Sequence, residues 1–141
     1  MPPSFSILDS RATPLGNLVL RRRTSPSLPD KPVYEVTLDS EMLMSSTVNV
    51  SERALARLAL EKIADRPLDV LVGGLGLGYT AAAALDFPQV RRLDVVEVLP
   101  AVISWHERQL VPLAGRLMND ARCTCISGDF FAVIRDDTVQ K

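Results

Sequence analysis

The sequence predicts an α/β protein in which a small antiparallel β segment precedes an incomplete parallel sheet with helices on both faces. The first observation is that short strand-like runs alternate with turn formers over the first ~50 residues. The second is that strand-like and helix-like runs alternate from residue 68 onward. The third is a cluster of glycines directly after the first of these later strands. We therefore divide the chain into a β-rich segment, 1–48, and an α/β segment, 49–141.

The β-rich segment contains strand-like runs separated by turn formers. The most extensive turn-forming stretch is 25–32, which holds three prolines. Adjacent short strands joined by turns predict an antiparallel sheet or a pair of hairpins. The runs lie at 5–8, 15–20, 32–38 and 42–44.

The α/β segment begins with a helix, expected over 50–64, whose buried stripe we predict to contain Leu55, Leu58, Ala59 and Ile63. Pro67 ends it. The alternation that follows predicts parallel strands joined by right-handed crossovers. The expected strands are 68–73, 92–98 and 122–127, and the expected helices are 78–87, 100–114 and 130–134.

The composition excludes several classes of protein. The chain has 141 residues and a net charge of −1, so no basic excess indicates nucleic-acid binding or attachment to a membrane surface. No apolar run approaches the roughly 18 residues that span a bilayer, and the N-terminus lacks the features of a signal peptide. We expect a cytoplasmic protein. Cys123 and Cys125 are expected to be buried as small apolar groups, and a single histidine gives no metal site.

The glycine cluster is the first feature that indicates a function. The apolar run Val70–Val72 leads into four glycines between positions 73 and 78. Glycines at the turn from a strand into a helix allow unusual backbone angles and leave room for a ligand to touch the main chain. The alternative is a tight connection with no ligand.

Two carboxylates follow the next two strands. Glu97 ends the second strand, where an acid can accept both hydroxyls of a ribose. Asp129 follows the third strand and can accept from the amine of adenine, although it also suits a helix cap. Since ligands of open parallel sheets bind at the carboxyl ends of the strands, the pattern predicts a Rossmann-like nucleoside site. Its residues are Gly74, Gly76, Gly78, Glu97 and Asp129.

Neighbouring residues leave the type of nucleotide open. The run 76–81 also fits a dinucleotide fingerprint, so a nicotinamide- or flavin-dependent oxidoreductase is an alternative. Tyr79 and Phe130 either flank the nucleoside or pack in the core. Trp105 is expected in the core, whereas His106, beside Glu107, is expected to be exposed.

Residues 32–134 resemble the spermidine synthase (polyamine aminopropyltransferase) family, within the class I S-adenosylmethionine-dependent methyltransferase fold. The likeness rests on the motifs at 38–40, 72–78, 96–98 with 102–103, and 128–129. It implies that Glu97 holds the ribose and Asp129 the adenine of S-adenosylmethionine or decarboxylated S-adenosylmethionine. It also implies aminopropyl transfer to a small-molecule amine or another nucleophile.

The sequence departs from the family at several positions. Gly76 replaces an aspartate of the family's glycine motif, Leu43 lies near a family glutamine, and 52–54 lies near its Tyr-His-Glu signature. These changes concern the polyamine more than the adenosyl group, and Glu52 is either a substitute amine-binding acid or a helix cap. A methyltransferase is therefore an alternative, as is a non-catalytic nucleoside-binding module.

The family's catalytic aspartate follows a fourth strand, so the catalytic residue here is unknown and we expect it beyond residue 141. A chain ending there would leave the first parallel strand at a bare sheet edge. We expect a truncated chain, or a second copy that pairs with this open edge.

Overall fold

The structure, a computed structural model, describes residues 5–63 and 65–136. The chain divides into two compact units, 1–49 and 50–141. This division lies one residue from the boundary proposed from the sequence. The predicted end of the first helix at residue 64 and the chain end at 137–141 lie outside the described residues.

The first unit is a four-stranded antiparallel sheet in the order β1-β2-β3-β4, as predicted. Leu18, Leu20 and Val36 are fully buried on it. Leu20 is opposite Val36 in the β2–β3 register, so the central strands provide the apolar centre of this sheet. The strands are β1 (Phe5–Thr13), β2 (Gly16–Ser25), β3 (Leu28–Leu38) and β4 (Glu41–Ser45).

The central hairpin is longer than predicted. Ser25 pairs with Leu28, so the expected turn at 25–32 is wrong and shrinks to two residues. The buried Glu35 carboxylate accepts from the guanidinium groups of Arg21 and Arg23, at 3.1 and 3.0 Å. These ion pairs join β2 to β3 and help extend the pairing beyond the apolar run.

The second unit contains a parallel sheet in the order β5-β6-β7. Together with the antiparallel sheet, it confirms the predicted fold class. β6 is central, and its neighbours Val95 and Val96, which point to opposite faces, are both buried. The elements are α1 (Val50–Glu61), β5 (Leu68–Gly73), α2 (Tyr79–Leu85), β6 (Val90–Glu97), α3 (Pro100–Glu107), α4 (Ala114–Met118), β7 (Cys123–Ser127) and α5 (Phe130–Arg135).

Helix α1 packs on α2, but not through the predicted stripe. Its buried residues are Ala56 and Leu60, whereas Leu55 and Leu58 are more than half exposed. The small side chain of Ala56 permits close approach to the alanine-rich α2, and Leu60 lies one turn further along the same face. The apolar spacing therefore predicts the wrong buried face for α1.

The predicted helix over 100–114 ends early, and a second short helix begins only at its expected last residue. α3 ends at Glu107, and Gln109 takes a left-handed backbone with φ 59°. Pro112 then prevents a regular helical hydrogen bond. The chain resumes as α4 at Ala114. In the described part of the chain, no helix has the length and apolar character needed to cross a membrane.

Candidate functional site

Backbone hydrogen bonds bring the three sequence features to one edge of the parallel sheet. The Gly74 N–H donates to the Val96 carbonyl at 2.8 Å. On the other side of β6, the Gly128 N–H donates to the Glu97 carbonyl at 3.0 Å. The glycine loop, the end of β6 and the turn after β7 are therefore neighbours, as the sequence predicts.

The glycine loop combines buried leucines with an exposed Gly74 and a half-buried Gly76. Leu75 and Leu77 are buried and anchor the loop in the core. The glycines between and beside them have positive φ, at 92° for Gly74, 51° for Gly76 and 93° for Gly78. A side chain is strained at the angles of Gly74 and Gly78, so the shape of the loop favours glycine there independently of any ligand. The angle at Gly76 is close to the one that Gln109 adopts.

The glycines differ in how much space a side chain would find beside them. A Cβ on Gly78 would meet the Leu117 side chain at 2.6 Å, so close packing accounts for that glycine. A Cβ on Gly73 would meet the Phe130 ring at 2.7 Å. A Cβ on Gly74 would meet nothing within 4 Å. The surroundings of Gly74, unlike those of Gly73 and Gly78, therefore leave room for a ligand to approach the main chain.

The Glu97 carboxylate lies beneath the loop. Its Oε1 accepts from the N–H groups of Leu75 and Gly76, at 3.0 and 3.2 Å, and its Oε2 accepts from the Leu99 N–H at 3.0 Å. Only 7% of the residue's surface is exposed. Because an ionised carboxylate has about four acceptor positions, these three bonds leave about one for a ligand. Glu97 is thus a loop-organising group, a function that its spacing does not reveal.

Asp129 stands at the exposed start of α5 and caps this helix. Its Oδ1 accepts from the Phe131 N–H at 2.9 Å. The helix-cap interpretation of this residue is therefore correct as far as Oδ1 is concerned. The cap fixes the carboxylate in the turn after β7, next to Gly128.

His106 lies in this region, although the sequence does not predict it there. The prediction that it is exposed is wrong, because the side chain is fully buried. Its Nε2 lies 2.9 Å from the Gly76 carbonyl oxygen. Burial lowers the pKa of its imidazole, although the Gly76 bond and the nearby Glu97 charge oppose this shift. The signal was available: His106 lies four residues after Val102 and so shares its helix face.

Two aromatic residues near the loop, Tyr79 and Trp105, are buried in the unit, whereas Phe130 is half-buried. Tyr79 is buried, and the Arg53 guanidinium lies 5.3 Å from the centre of its ring. Trp105 is 1% exposed, which confirms the core prediction. Partial burial raises the pKa of the Glu52 carboxyl in α1 above its usual value.

The cysteines of β7 are free and half-buried rather than fully buried. Among residues 5–63 and 65–136, no three histidine, cysteine or acidic side chains are placed to hold a metal ion.

Comparison with known proteins finds relatives for part of the chain. A 69-residue stretch, 49% of the chain, is 32% identical to putrescine N-methyltransferase 2 of Nicotiana attenuata and covers 18% of it. The same figures apply to putrescine N-methyltransferase 1 of Nicotiana tabacum. No protein-family model matches the chain.

Two solved structures share the fold. A spermidine synthase bound to the transition state analogue AdoDATO matches 86% of this chain, with a TM-score of 0.68 and 19% identity. Spermidine synthase from Thermotoga maritima matches 92%, with a TM-score of 0.70 and 17% identity. The matches span 39% and 42% of those proteins' lengths.

The chain therefore has the fold of spermidine synthase, a class I S-adenosylmethionine-dependent methyltransferase fold. This confirms, at the level of the fold, the resemblance drawn from the sequence motifs.

Proposed function

We propose that the edge formed by the glycine loop, Glu97 and Asp129 binds the adenosine part of S-adenosylmethionine or decarboxylated S-adenosylmethionine. The observation that carries this proposal is the joining of three strand ends around open space at Gly74. Ligands of open parallel sheets bind at this edge. The solved structure with AdoDATO, which has the same fold, supports the choice of ligand class.

Each residue has a separate part in the proposed site. Gly74 lets the ligand approach the backbone, because no neighbouring atom fills the space beside it. Glu97 holds the loop through three backbone bonds and offers its remaining acceptor position, on Oε2, to one ribose hydroxyl. This differs from the two-hydroxyl grip expected from the sequence. Asp129 accepts from the adenine amine through Oδ2, since Oδ1 caps α5.

The proposed reaction is transfer of an alkyl group to an amine. The co-substrate supplies a carbon activated by its positive sulfur, and the protein's contribution is orientation of that carbon. The attacking amine forms a C–N bond, the C–S bond breaks with its electron pair left on sulfur, and the amine loses a proton. Among the described residues we assign no catalytic base.

Aminopropyl transfer is the first candidate, because the β-rich first unit and the overall fold match spermidine synthase. Methyl transfer is the second, because the stretch with the higher sequence identity matches putrescine N-methyltransferases. Incubation with each co-substrate and a panel of diamines, followed by mass spectrometry, separates the two. Aminopropylated and methylated products differ in mass for every acceptor.

Binding is tested by calorimetry with S-adenosylmethionine, decarboxylated S-adenosylmethionine and a nicotinamide dinucleotide. Asp129→Asn keeps a good helix cap but removes the carboxylate, so we expect about tenfold weaker binding of an adenosyl ligand. Asp30→Asn, at an exposed position on β3, is the matched control and leaves the affinity unchanged.

Two results would overturn the proposal. If neither S-adenosylmethionine nor decarboxylated S-adenosylmethionine gives a heat of binding, the non-catalytic module is favoured. Binding of the dinucleotide alone would favour the oxidoreductase.

A further inference from the structure

His106 is a buried polar residue beside the proposed site. The proposed function assigns it no role. The residue is fully buried in the described structure, and its ring lies beneath the glycine loop. Its Cε1 would lie 3.2 Å from a Cβ placed on Gly78, and its Nε2 is 2.9 Å from the Gly76 oxygen. The ring therefore contacts two loop glycines from the core side.

The hydrogen bond fixes the tautomer of the imidazole. A carbonyl oxygen only accepts, so Nε2 carries the proton and donates to Gly76. In the neutral ring, Nδ1 is then an unprotonated acceptor, and within the described residues it has no partner. Protonation at Nδ1 would create a buried donor without an acceptor, which is costly. Burial accordingly favours the neutral ring.

Gly76 is held on both of its polar groups. Its N–H donates to Glu97, and its carbonyl accepts from His106. The residue has φ 51° and no side chain, so few other forces restrict its two flanking peptides. Two buried side chains from β6 and α3 therefore determine how the loop presents its backbone.

We propose that His106 is a positioning residue for the adenosyl ligand, which it does not itself contact. Its Nε2–H holds the Gly76 carbonyl and keeps the loop, with Glu97, in the shape that the ligand meets. This inference rests on the proposed function of the same edge. The ligand then binds a loop that is already ordered, and less affinity is lost to ordering it.

The first test uses the fact that the chain contains a single histidine. Selective ¹⁵N labelling of histidine gives one imidazole, whose tautomer NMR reports directly. We expect a proton on Nε2 with slow exchange against solvent, and protonation of Nδ1 only at a lower pH than in an exposed histidine. A neutral ring that carries its proton on Nδ1, or a ring in rapid exchange, would overturn the proposal without any ligand.

The second test compares His106→Gln with His106→Leu. The glutamine amide can donate to Gly76, whereas leucine is similarly bulky but has no donor. We expect leucine to weaken S-adenosylmethionine binding about tenfold and glutamine to restore most of it. Hydrogen exchange at the Leu75 and Gly76 amides should accelerate with leucine and less with glutamine.

Val102→Ala is the matched control, because Val102 is buried on the same face of α3 but makes no bond to the loop. It should change the affinity less than twofold. Wild-type affinity in His106→Leu, or equal weakening by Val102→Ala, would refute the positioning role alone. Failure of the wild-type protein to bind S-adenosylmethionine or its decarboxylated form would instead refute the proposed function, and the positioning role with it.

Discussion

The glycine loop of the second unit and the β3–β4 turn of the first unit are built from the same parts. In each, backbone with positive φ is held by a carboxylate that accepts main-chain N–H groups. In the loop these are Gly74, Gly76 and Gly78 with Glu97. In the turn, Asp39 and Ser40 have φ of 49° and 70°, and the Asp39 carboxylate accepts from the Asn17 N–H at 2.7 Å.

The two regions differ in what occupies the space beside the backbone. The Asp39 carboxylate of the turn fills the space beside Gly16, at the neighbouring start of β2, since a Cβ there would overlap it. The space at Gly74 is open. The turn also uses non-glycine residues at strained angles, whereas the loop uses glycine. A carboxylate bound to backbone amides is therefore not evidence for a binding site, and the open space at Gly74 is what distinguishes the loop.

The largest expected effect is on stability, from Glu97→Ala. Three backbone donors would lose their acceptor, two of them buried. At about 1–3 kcal/mol for each of the two buried unsatisfied groups, we expect the free energy of unfolding to fall by about 2–6 kcal/mol. Urea denaturation measures this. Asp39→Ala, which frees one exposed donor, should cost about 1 kcal/mol. Equal losses in the two variants would show that the regions do not differ in this way.

The next effect separates two glycines of the loop. Gly78→Ala adds a methyl group 2.6 Å from Leu117 at φ 93° and should lower the free energy of unfolding by about 2–4 kcal/mol. Gly74→Ala has a similar φ but open space, so it should cost only about 1–2 kcal/mol. Thermal or urea unfolding compares them. A Gly74→Ala variant as damaged as Gly78→Ala would mean that the space at Gly74 is not open.

A smaller effect is the pH dependence of stability that we expect from His106, beneath the glycine loop. The pKa of His106 is lowered from 6.5 in the folded protein, with Glu97 as the charged group that opposes the shift. Below pH 6.5 the unfolded chain binds a proton at its histidine more readily than the folded chain does. The free energy of unfolding is therefore not reduced by this histidine above pH 6.5, and it falls as the pH drops below that value. We expect the urea midpoint to drop between pH 7.5 and 5.5, and less so in His106→Gln. An equal drop of the urea midpoint in the wild-type protein and in His106→Gln would show that His106 does not cause the pH dependence.

The smallest effect is expected at the turn. Ser40→Gly places glycine at φ 70°, which relieves backbone strain and should raise the free energy of unfolding by about 0.5–1 kcal/mol. Ser27→Gly, in the exposed turn before β3 where no positive φ occurs, is the control and should not stabilise the protein. Destabilisation by Ser40→Gly would show that the serine side chain makes a compensating contribution.

The sequence could predict the order of the elements, because apolar runs, prolines and glycines mark them locally. It also placed Gly74, Glu97 and Gly128 at one edge, since the carboxyl ends of parallel strands share an edge by topology. It failed at α1, where Leu55 and Ala56 are adjacent and only tertiary packing decides which is buried. It also failed at Gln109, whose left-handed backbone breaks the helix although its residue type does not require this.

The sequence predicts that the three strand ends meet at one edge, but it does not predict the hydrogen bonds within that edge. Nothing in the spacing between Gly76 and Glu97 shows that the carboxylate is engaged by loop amides. The contact between His106 and Gly76 joins residues thirty positions apart. Such contacts depend on the packing of α3 against the loop, which only the folded chain reveals.

The central claim is that the open edge at Gly74, and not the filled turn at Asp39, receives an adenosyl ligand. The most direct measurement is NMR of the ¹⁵N-labelled chain during titration with S-adenosylmethionine. We predict saturable shifts of the Gly74, Gly128 and Asp129 amides, with the Asn17 and Asp39 amides unchanged. Shifts confined to other residues, or no shifts at millimolar ligand, would contradict the account.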